Sequence, residues 1–171
     1  DRIDEKEWKF VLKIIDEALN KFRQFRLTEG EVLENDLKAR TNSIMELLAK
    51  VDPFETERIE KIRKRMRQNL DDFFGKENVD ENRFEQEVIF YIEKIDITEE
   101  KVRLAQHCKY FLEELEKNTT AKGRKLSFIS QEMGREINTL GAKAYSSDIQ
   151  RYVVSMKDEL EKIKEQVANA V

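Results

Sequence analysis

The chain has 171 residues, of which 40% are charged, and its formal net charge is −4. Five Gly and one Pro are too few for a β-sandwich or barrel, which needs a turn every ~8–12 residues. One Cys and one His exclude an internal disulfide framework and a typical structural zinc site. No apolar run approaches the ~20 residues of a membrane span, and no signal-peptide pattern is present. We therefore expect a cytoplasmic, all-α protein without membrane contact.

The first third of the chain has apolar residues at helical spacing. They are Ile3, Trp8, Val11, Leu12, Ile15, Leu19 and Phe22. This spacing predicts a helix over about 4–25. Thr28 and Glu31 stand at capping-box spacing, so a second helix is expected from there to about residue 51. Trp8 and the phenylalanines of the chain are interpreted as core residues rather than as stacking platforms.

A strong helix start follows at Asp52-Pro53-Phe54-Glu55. Asp52 can serve as the N-cap, Pro53 suits the first helical position, and Glu55 can reach back to the cap. This helix is expected to end at Gly75. The short polar stretch 76–81 is the clearest candidate for a linker.

Four further helices are predicted beyond that stretch. Residues 88–92 could form a strand by composition, but the Glu-rich flanks keep a helical period, which favours a helix. Thr98 can cap the next helix, and Ser146 or Ser147 the last one. The last three helices are expected over about 98–118, 122–144 and 146–168. Charged helices with narrow apolar stripes are typical of long antiparallel hairpins, coiled-coil-like bundles or subunit contacts.

One candidate site lies on the helix that begins near Thr98. Asp96, Glu100, Arg103 and His107 fall within an arc of about 60°. Carboxylates at this spacing can hold a hard cation, Arg can bind phosphate, and His can act as a general base. The alternative is a solvated ladder of ion pairs such as Glu99–Arg103.

A second candidate site lies on the next helix, opposite its apolar face. The apolar face comprises Leu126, Ile129, Met133, Ile137 and Leu140. Arg124, Gln131, Arg135 and Asn138 share another face, with Glu132 and Glu136 between the two. Gln, Arg and Asn are good hydrogen-bonding groups in a chain that otherwise exposes Lys and Glu. A polar surface or a subunit contact is the alternative.

A basic run, residues 61–67, has five cations in seven positions. A basic helix face can follow a phosphate backbone. The interpretation that we favour is a face balanced by neighbouring acids, namely Glu55, Glu57, Glu60, Asp71 and Asp72. Other catalytic templates are absent from the sequence, including a Gly-rich phosphate loop and a GxSxG elbow. Cys108 lies on the apolar face and points away from His107, which disfavours a thiol nucleophile.

Three blocks of the chain carry a family resemblance: 83–111, 123–143 and 157–169. The first keeps Gln86, Glu87, Lys94, Asp96, Ile97, Glu99, Glu100, Arg103, Leu104, His107 and Phe111, and the second keeps Gly123, Arg124, Leu126, Phe128, Gln131, Glu132, Arg135, Glu136, Asn138 and Thr139. The third reads KDELEKIKEQVAN. With their spacing, these blocks resemble the C-terminal domain of the YicC-like family, bacterial proteins described as stress-induced and as endoribonucleases. Gly134, where Asn is usual, is the departure most relevant to structure, since Gly in a helix costs ~1 kcal/mol against Ala.

The resemblance implies domain organisation and function. It implies a helical hairpin region over 1–75, a YicC-like C-terminal helical domain over 83–171, and a β-containing domain upstream of both. It also implies an endoribonuclease that cleaves RNA with a divalent metal, Mn or Mg, within a homo-oligomer, a hexamer in the intact protein. The rival hypothesis is a non-catalytic module for oligomerisation or RNA binding.

Residue roles follow from the resemblance and from chemical type together. Carboxylates would hold a metal ion that activates the attacking water, and His107 would shuttle the proton. The assigned roles are catalytic for His107, Glu132 and Glu136; metal-binding for Glu87, Asp96, Glu99 and Glu100; and RNA-binding for Arg103, Arg124, Gln131, Arg135 and Asn138.

Overall fold

The computed structural model describes residues 4–117 and 122–169, and over these ranges it contains helices and no strand. The all-α prediction is therefore confirmed. Two compact units divide the chain, 1–38 and 39–171. The helices of the described residues are α1 Glu5–Ala49, α2 Pro53–Phe74, α3 Glu81–Ile95, α4 Thr98–Leu115, α5 Lys122–Lys143 and α6 Ser147–Asn169, with a 3-10 turn, Lys76–Asn78, between α2 and α3.

The first helix continues where the sequence predicted a break. α1 runs without interruption from Glu5 to Ala49. The Thr28 hydroxyl donates to the carbonyl oxygen of Gln24 at 3.1 Å, one turn back in the same helix. Thr28 is therefore not a helix cap, and the predicted restart was wrong. A capping box has a function only where backbone N–H groups lack partners, and here the helix supplies them.

Several aromatic residues expected in the core are exposed. In the first unit, Trp8 is 50% exposed and Phe22 is 56% exposed. Phe10, Phe25, Phe73, Phe74, Phe90 and Phe128 are exposed as well. Phe84 and Phe111 are buried, as predicted. The expectation was wrong for the exposed set because helical spacing marks an apolar face without specifying what covers it.

Ion pairs join the start of α2 to α4. Pro53 occupies the first turn after Asp52, but the Asp52 side chain makes no capping hydrogen bond. Its carboxylate lies 2.5 Å from Lys101 Nζ, and Glu55 Oε2 lies 2.9 Å from the same nitrogen. The predicted boundary was correct, whereas the predicted role of the two acids was wrong. The helix ends before Gly75, whose φ of 79° is the left-handed region that glycine adopts readily.

The polar stretch after α2 is a short connection inside the second unit. It forms the 3-10 turn and then Asp80, which caps α3 by accepting from Asn82 N at 3.0 Å and Arg83 N at 3.2 Å. Residues 88–92 lie inside α3. The preference for a helix over a strand in this run is therefore confirmed.

α5 packs in an antiparallel arrangement against both α4 and α6. The buried residues of this three-helix region include Leu104, Cys108, Phe111, Leu126, Met133, Ile137, Leu140, Ile149, Val153, Met156, Leu160 and Ile163. A Cβ atom at Gly134 would lie 3.2 Å from Leu160 Cδ2, and one at Gly141 would lie 2.9 Å from Val153 Cγ1. The two glycines therefore let α6 approach α5 closely. This close approach explains why a glycine, rather than a larger residue, occupies position 134.

Arg58 of α2 joins the ends of two other helices. It is 4% exposed, and its Nη1 donates to the carbonyl oxygens of Ile95 and Lys143 at 3.0 Å and of Ala144 at 3.1 Å. These carbonyls belong to the C-terminal ends of α3 and α5, which lack intrahelical donors. Burial lowers the pKa of Arg58, and the charges of Glu55 and Asp96 oppose that change. Arg58 thus serves as a cationic cap for both helices.

Candidate functional site between α4 and α5

Two ion pairs fix how α4 and α5 face each other. Lys143 Nζ lies 2.7 Å from Glu100 Oε1, and Lys125 Nζ lies 2.8 Å from Glu114 Oε2. From Glu100 to Glu114 the residue numbers rise along α4, while those of their partners fall from Lys143 to Lys125, as expected for antiparallel helices. His107 is midway between Glu100 and Glu114 in the sequence. Its half-buried imidazole is therefore level with the middle of α5.

The middle of α5 presents two carboxylates on the same strip as its paired lysines. Glu132, Glu136 and Lys143 follow Lys125 by 7, 11 and 18 residues, spacings that return to one helix face. We call this strip the seam, defined as Glu100, His107 and Glu114 of α4 with Lys125, Glu132, Glu136 and Lys143 of α5. The fold thus brings the three residues predicted to be catalytic onto one interhelical surface.

Glu136 differs from Glu100 and Glu114 of the seam in having no cationic partner among the described residues, and its carboxylate oxygens are still reached by solvent. It is 5% exposed, and its side chain makes no hydrogen bond or ion pair with the part of the chain that the structure describes. Glu132 is half-buried and accepts from Arg135 Nη1 at 3.2 Å. Glu100 binds Lys143 through Oε1, while its buried Oε2 has no hydrogen-bond partner among these residues. Burial of a carboxylate costs free energy unless a cation, a donor or a proton compensates it.

The residues predicted to bind metal are not brought together. Glu100 lies on the seam, whereas Glu87 is exposed on α3 beside an apolar cleft. Asp96 Oδ1 accepts from Thr98 N at 3.0 Å and from Thr98 Oγ1 at 2.6 Å. Asp96 therefore organises the start of α4, a role that the sequence interpretation gave to Thr98. Glu99 forms an ion pair with Arg103, which is the ladder raised above as the alternative.

These placements limit the kind of metal site that the chain can form. Within residues 4–117 and 122–169, no group of three or more His, Cys, Asp and Glu side chains is arranged to hold a metal ion. Glu132 and Glu136 are one helical turn apart on the seam. Mg²⁺ in phosphate-handling sites commonly takes one or two carboxylates and completes its coordination with waters and substrate phosphates. The seam suits an ion held in that way rather than one in a cage made only of protein ligands.

The residues predicted to bind RNA lie on the outer face of α5 and beside the seam on α4. Arg124, Gln131, Arg135 and Asn138 are exposed on α5, and Arg103 is exposed on α4. Arg135 reaches across to Glu132, so the outer face and the seam meet at that pair. The Arg124 guanidinium carbon lies 5.8 Å from the ring centroid of Phe128, which is exposed. An exposed Arg–aromatic pair is a chemistry that can stack on a nucleic-acid base.

Three cations of the basic run of α2 form ion pairs with acids. Lys61 lies 2.6 Å from Glu57, Arg67 lies 2.9 Å from Asp71 and 2.6 Å from Glu81, and Arg63 pairs with Glu85. Three of the five cations therefore pair with acids: Glu57 and Asp71 were among the predicted partners, whereas Glu81 and Glu85 belong to α3 and were not anticipated. The buried Cys108 also agrees with its predicted inertness, because burial raises the pKa of its thiol to about 12.

Sequence reasoning did not identify the ion pairs that set the seam. Lys125, Lys143 and Glu114 were given no role in the sequence analysis. A signal was present, since the two lysines share a face with Glu132 and Glu136. Their partners on α4 could not be assigned without the register of the two helices.

The fold and the seam define a class of protein: an all-α chain in which a strip of acid–base groups adjoins an exposed Arg-, Gln- and Asn-bearing face. Over the described residues, no helix is long and apolar enough to cross a membrane. Residues 51–170 match the family model described as "Endoribonuclease YicC-like, C-terminal". The chain therefore belongs to the YicC-like family, and its resemblance to that family is confirmed.

Two curated relatives agree with this membership. The chain is 35% identical over 179 residues to a protein of Clostridioides difficile named "Probable endoribonuclease YicC", with 98% of the chain and 59% of the relative covered. It is 36% identical over 159 residues to a protein of the same name from Haemophilus influenzae, with 93% of the chain and 54% of the relative covered. The chain thus spans between half and three fifths of the length of these relatives.

Proposed function

We propose that the chain carries the RNA-cleaving groups of an endoribonuclease, with the α4–α5 seam as its reactive surface. The observation that carries this proposal is the placement of His107 of α4 and Glu136 of α5 on one strip between the two helices. An imidazole and a carboxylate without a cationic partner are side chains that can take part in proton transfer. The names of both relatives support RNA as the substrate.

RNA would bind along the outer face of α5. Arg124 and Arg135 would contact phosphate oxygens, while Gln131 and Asn138 would hydrogen-bond to sugar or base edges. Arg103 lies beside the seam and would hold a second phosphate. The Arg135–Glu132 pair marks where a phosphate on the outer face comes nearest to the seam.

His107 would move the proton in the cleavage step. Its neutral imidazole accepts a proton from the attacking oxygen, and its protonated form then donates a proton to the leaving oxygen.

A divalent metal, Mn or Mg, would be held by Glu132 and Glu136 with the phosphate of the bound RNA. When bound, the ion would offset the negative charge that grows on the phosphoryl oxygens. Glu132 is half-buried next to Arg135, so it can exchange that partner for a cation. Glu136 gains a cation where it has no partner of its own. Glu87, Asp96 and Glu99 have no part in this arrangement.

The working protein would be a homo-oligomer in the cytoplasm, with the hexamer implied by the family resemblance as its expected state. The large apolar residues exposed on α1 support an assembly, because a soluble monomer rarely exposes so much contiguous apolar surface. RNA and further copies of the chain are the partners of this proposal.

Cleavage of a labelled structured RNA tests the proposal. We expect cleavage with Mn²⁺, none with excess EDTA, and a loss of about 10²-fold or more for His107→Gln. Arg135→Ala should instead weaken RNA binding, with a steeper effect at low salt. Cleavage that survives EDTA and the His107 change would overturn the proposed site.

A non-catalytic RNA-binding or oligomerisation module is the second candidate. The absence of a three-ligand metal group in the described part of the chain favours it. It predicts that RNA binds in the same assay and stays intact in every lane. Correct mass and intact RNA together would select this candidate over the nuclease.

A further inference from the structure

A cavity of about 250 Å³ lies between α2 and the turn that joins α5 to α6, and we call it the α2–α6 cavity. Successive turns of α2 contribute Arg58, Lys61 and Arg65 to its lining, at helical spacing. The turn contributes Tyr145 and the first residues of α6. Basic side chains of one helix thus share a cavity with the N-terminus of another, a combination that attracts an anion.

The N-terminus of α6 keeps backbone donors free beside this cavity. Ser146 caps the helix, since its Oγ accepts from Ile149 N at 3.4 Å and its carbonyl oxygen accepts from Gln150 N at 3.0 Å. The N–H groups of Ser147 and Asp148 have no acceptor among the residues that the structure describes. Both residues line the cavity, so these N–H groups and the Ser147 hydroxyl are available to a ligand there.

The side chains around the cavity carry an excess of positive charge. Arg58, Lys61 and Arg65 line it with two acids, Glu57 and Asp148. Lys61 lies 2.6 Å from Glu57, whereas neither arginine forms an ion pair within residues 4–117 and 122–169. Arg58 is 4% exposed, and its buried Nε has no hydrogen-bond partner in those ranges. A buried guanidinium that is hydrogen-bonded only to neutral carbonyls is stabilised further by an anion nearby.

The donors of the cavity favour a terminal phosphate over a phosphate within an RNA backbone. A phosphate monoester carries a charge of about −1.5 to −2 near pH 7 and has three strong acceptor oxygens. An internal diester carries a single charge and has fewer free oxygens. Two N–H groups, a hydroxyl, Lys61 and Arg65 match the monoester better. Tyr145, which is 60% exposed, can stack on the attached nucleoside.

We propose that the α2–α6 cavity binds the phosphate monoester of a nucleotide, and that the phosphorylated end of an RNA strand is its source. No residue of the seam lines this cavity, so it is a second site. RNA as the source rests on the proposed function, whereas the phosphate site does not. The protein would then distinguish RNA strands by the chemistry of their ends.

Binding of one short RNA in three forms tests the proposal: with a phosphate at its 5′ end, with a phosphate at its 3′ end, and with hydroxyls at both ends. Calorimetry in EDTA measures each affinity. For wild type, we expect a phosphorylated form to bind at least about tenfold more tightly than the hydroxyl form. The ratio of the two affinities cancels general attraction to the RNA backbone.

Arg65→Gln should remove most of this ratio, and its thermal unfolding should match wild type because Arg65 forms no ion pair in the described part of the chain. Lys64→Gln is the matched control. Lys64 is the neighbouring cation on α2 and does not line the cavity. This variant loses the same charge and should keep the wild-type ratio.

Binding of 5′-AMP to the same variants distinguishes the two sources of the phosphate. Equal affinities for the three RNA forms, with AMP binding that is lost in Arg65→Gln, would keep the phosphate site and make a free nucleotide its ligand. If Arg65→Gln matches Lys64→Gln for every one of these ligands, the proposal is wrong. Because binding is measured without cleavage, either result leaves the test of His107 in RNA cleavage unaffected.

Discussion

Phe22 of α1 and Phe111 of α4 both lie in apolar stripes at helical spacing, but their environments differ. Phe22 is 56% exposed, whereas Phe111 is fully buried. Phe111 lies where α4 packs against α5, whose register is set by ion pairs at Glu100 and Glu114. The stripe that holds Phe22 remains exposed. An apolar helical stripe therefore encodes the need for a partner, and the identity of that partner depends on other features such as charge and length.

The two phenylalanines give the largest expected contrast. Phe111→Ala should lower the free energy of unfolding by about 3–5 kcal/mol, because it leaves a cavity in a packed region. Phe22→Ala should change it by less than ~0.5 kcal/mol at protein concentrations too low for association. Urea denaturation of both variants measures the difference. Equal losses would show that Phe22, like Phe111, lies in a packed region.

Arg58 offers the next contrast, between a buried cation and exposed ones. Arg58→Met should cost about 2–3 kcal/mol, since three helix-terminal carbonyls lose their charged donor. Arg124→Met, on the exposed face of α5, is the matched control and should cost less than ~0.5 kcal/mol. Hydrogen exchange should show local opening at the ends of α3 and α5 in the first variant alone. Unchanged protection there would contradict the capping role.

Replacing a glycine by alanine should change the free energy of unfolding in opposite directions in α5 and in α1. Gly141→Ala should destabilise by about 1–3 kcal/mol, because its Cβ meets Val153 at the α5–α6 contact. Gly30→Ala, where nothing lies within 4 Å of the new Cβ, should stabilise α1 by up to ~1 kcal/mol. Thermal melts followed by circular dichroism compare the two. Stabilisation by Gly141→Ala would show that α5 and α6 are not so closely packed.

The pH dependence of Asp96 is the smallest expected effect. Hydrogen bonds from the Thr98 side chain and backbone lower the pKa of Asp96. A lowered folded-state pKa stabilises the fold above the unfolded value of about 3.9, and this contribution is lost as the pH falls through the folded pKa. Wild type should therefore be more stable than Asp96→Asn near pH 7, with the gap closing below about pH 4. Denaturation midpoints at several pH values measure this gap, and a constant gap would contradict the assignment.

The sequence predicted the helices better than their contacts. Pro53 and Gly75 correctly bounded α2, because both act through local backbone geometry. The helix start predicted at Thr28 was wrong, because the Thr28 hydroxyl donates to a backbone carbonyl one turn back in the same helix. Local rules do not decide between such alternatives when the helix on either side is stable.

The candidate site was predictable in composition and only partly in arrangement. His107, Glu132 and Glu136 were selected by chemical type, and the register of α4 and α5 places them on one seam. Asp96 and Glu99 have the same chemistry, yet one caps a helix and the other pairs with Arg103. Arg58 gave no sequence signal, because its partners are backbone carbonyls of distant segments.

The most direct test of the account compares two glutamates in steady-state RNA cleavage. Glu136→Gln removes the seam carboxylate that would hold the metal ion, while Glu161→Gln removes an exposed carboxylate of α6 that pairs with Lys164. The account predicts a fall in kcat of about 10²-fold or more for Glu136→Gln, with little change in KM. Glu161→Gln should match wild type. Equal kcat values for the two variants would contradict the central claim that the seam carries the chemistry.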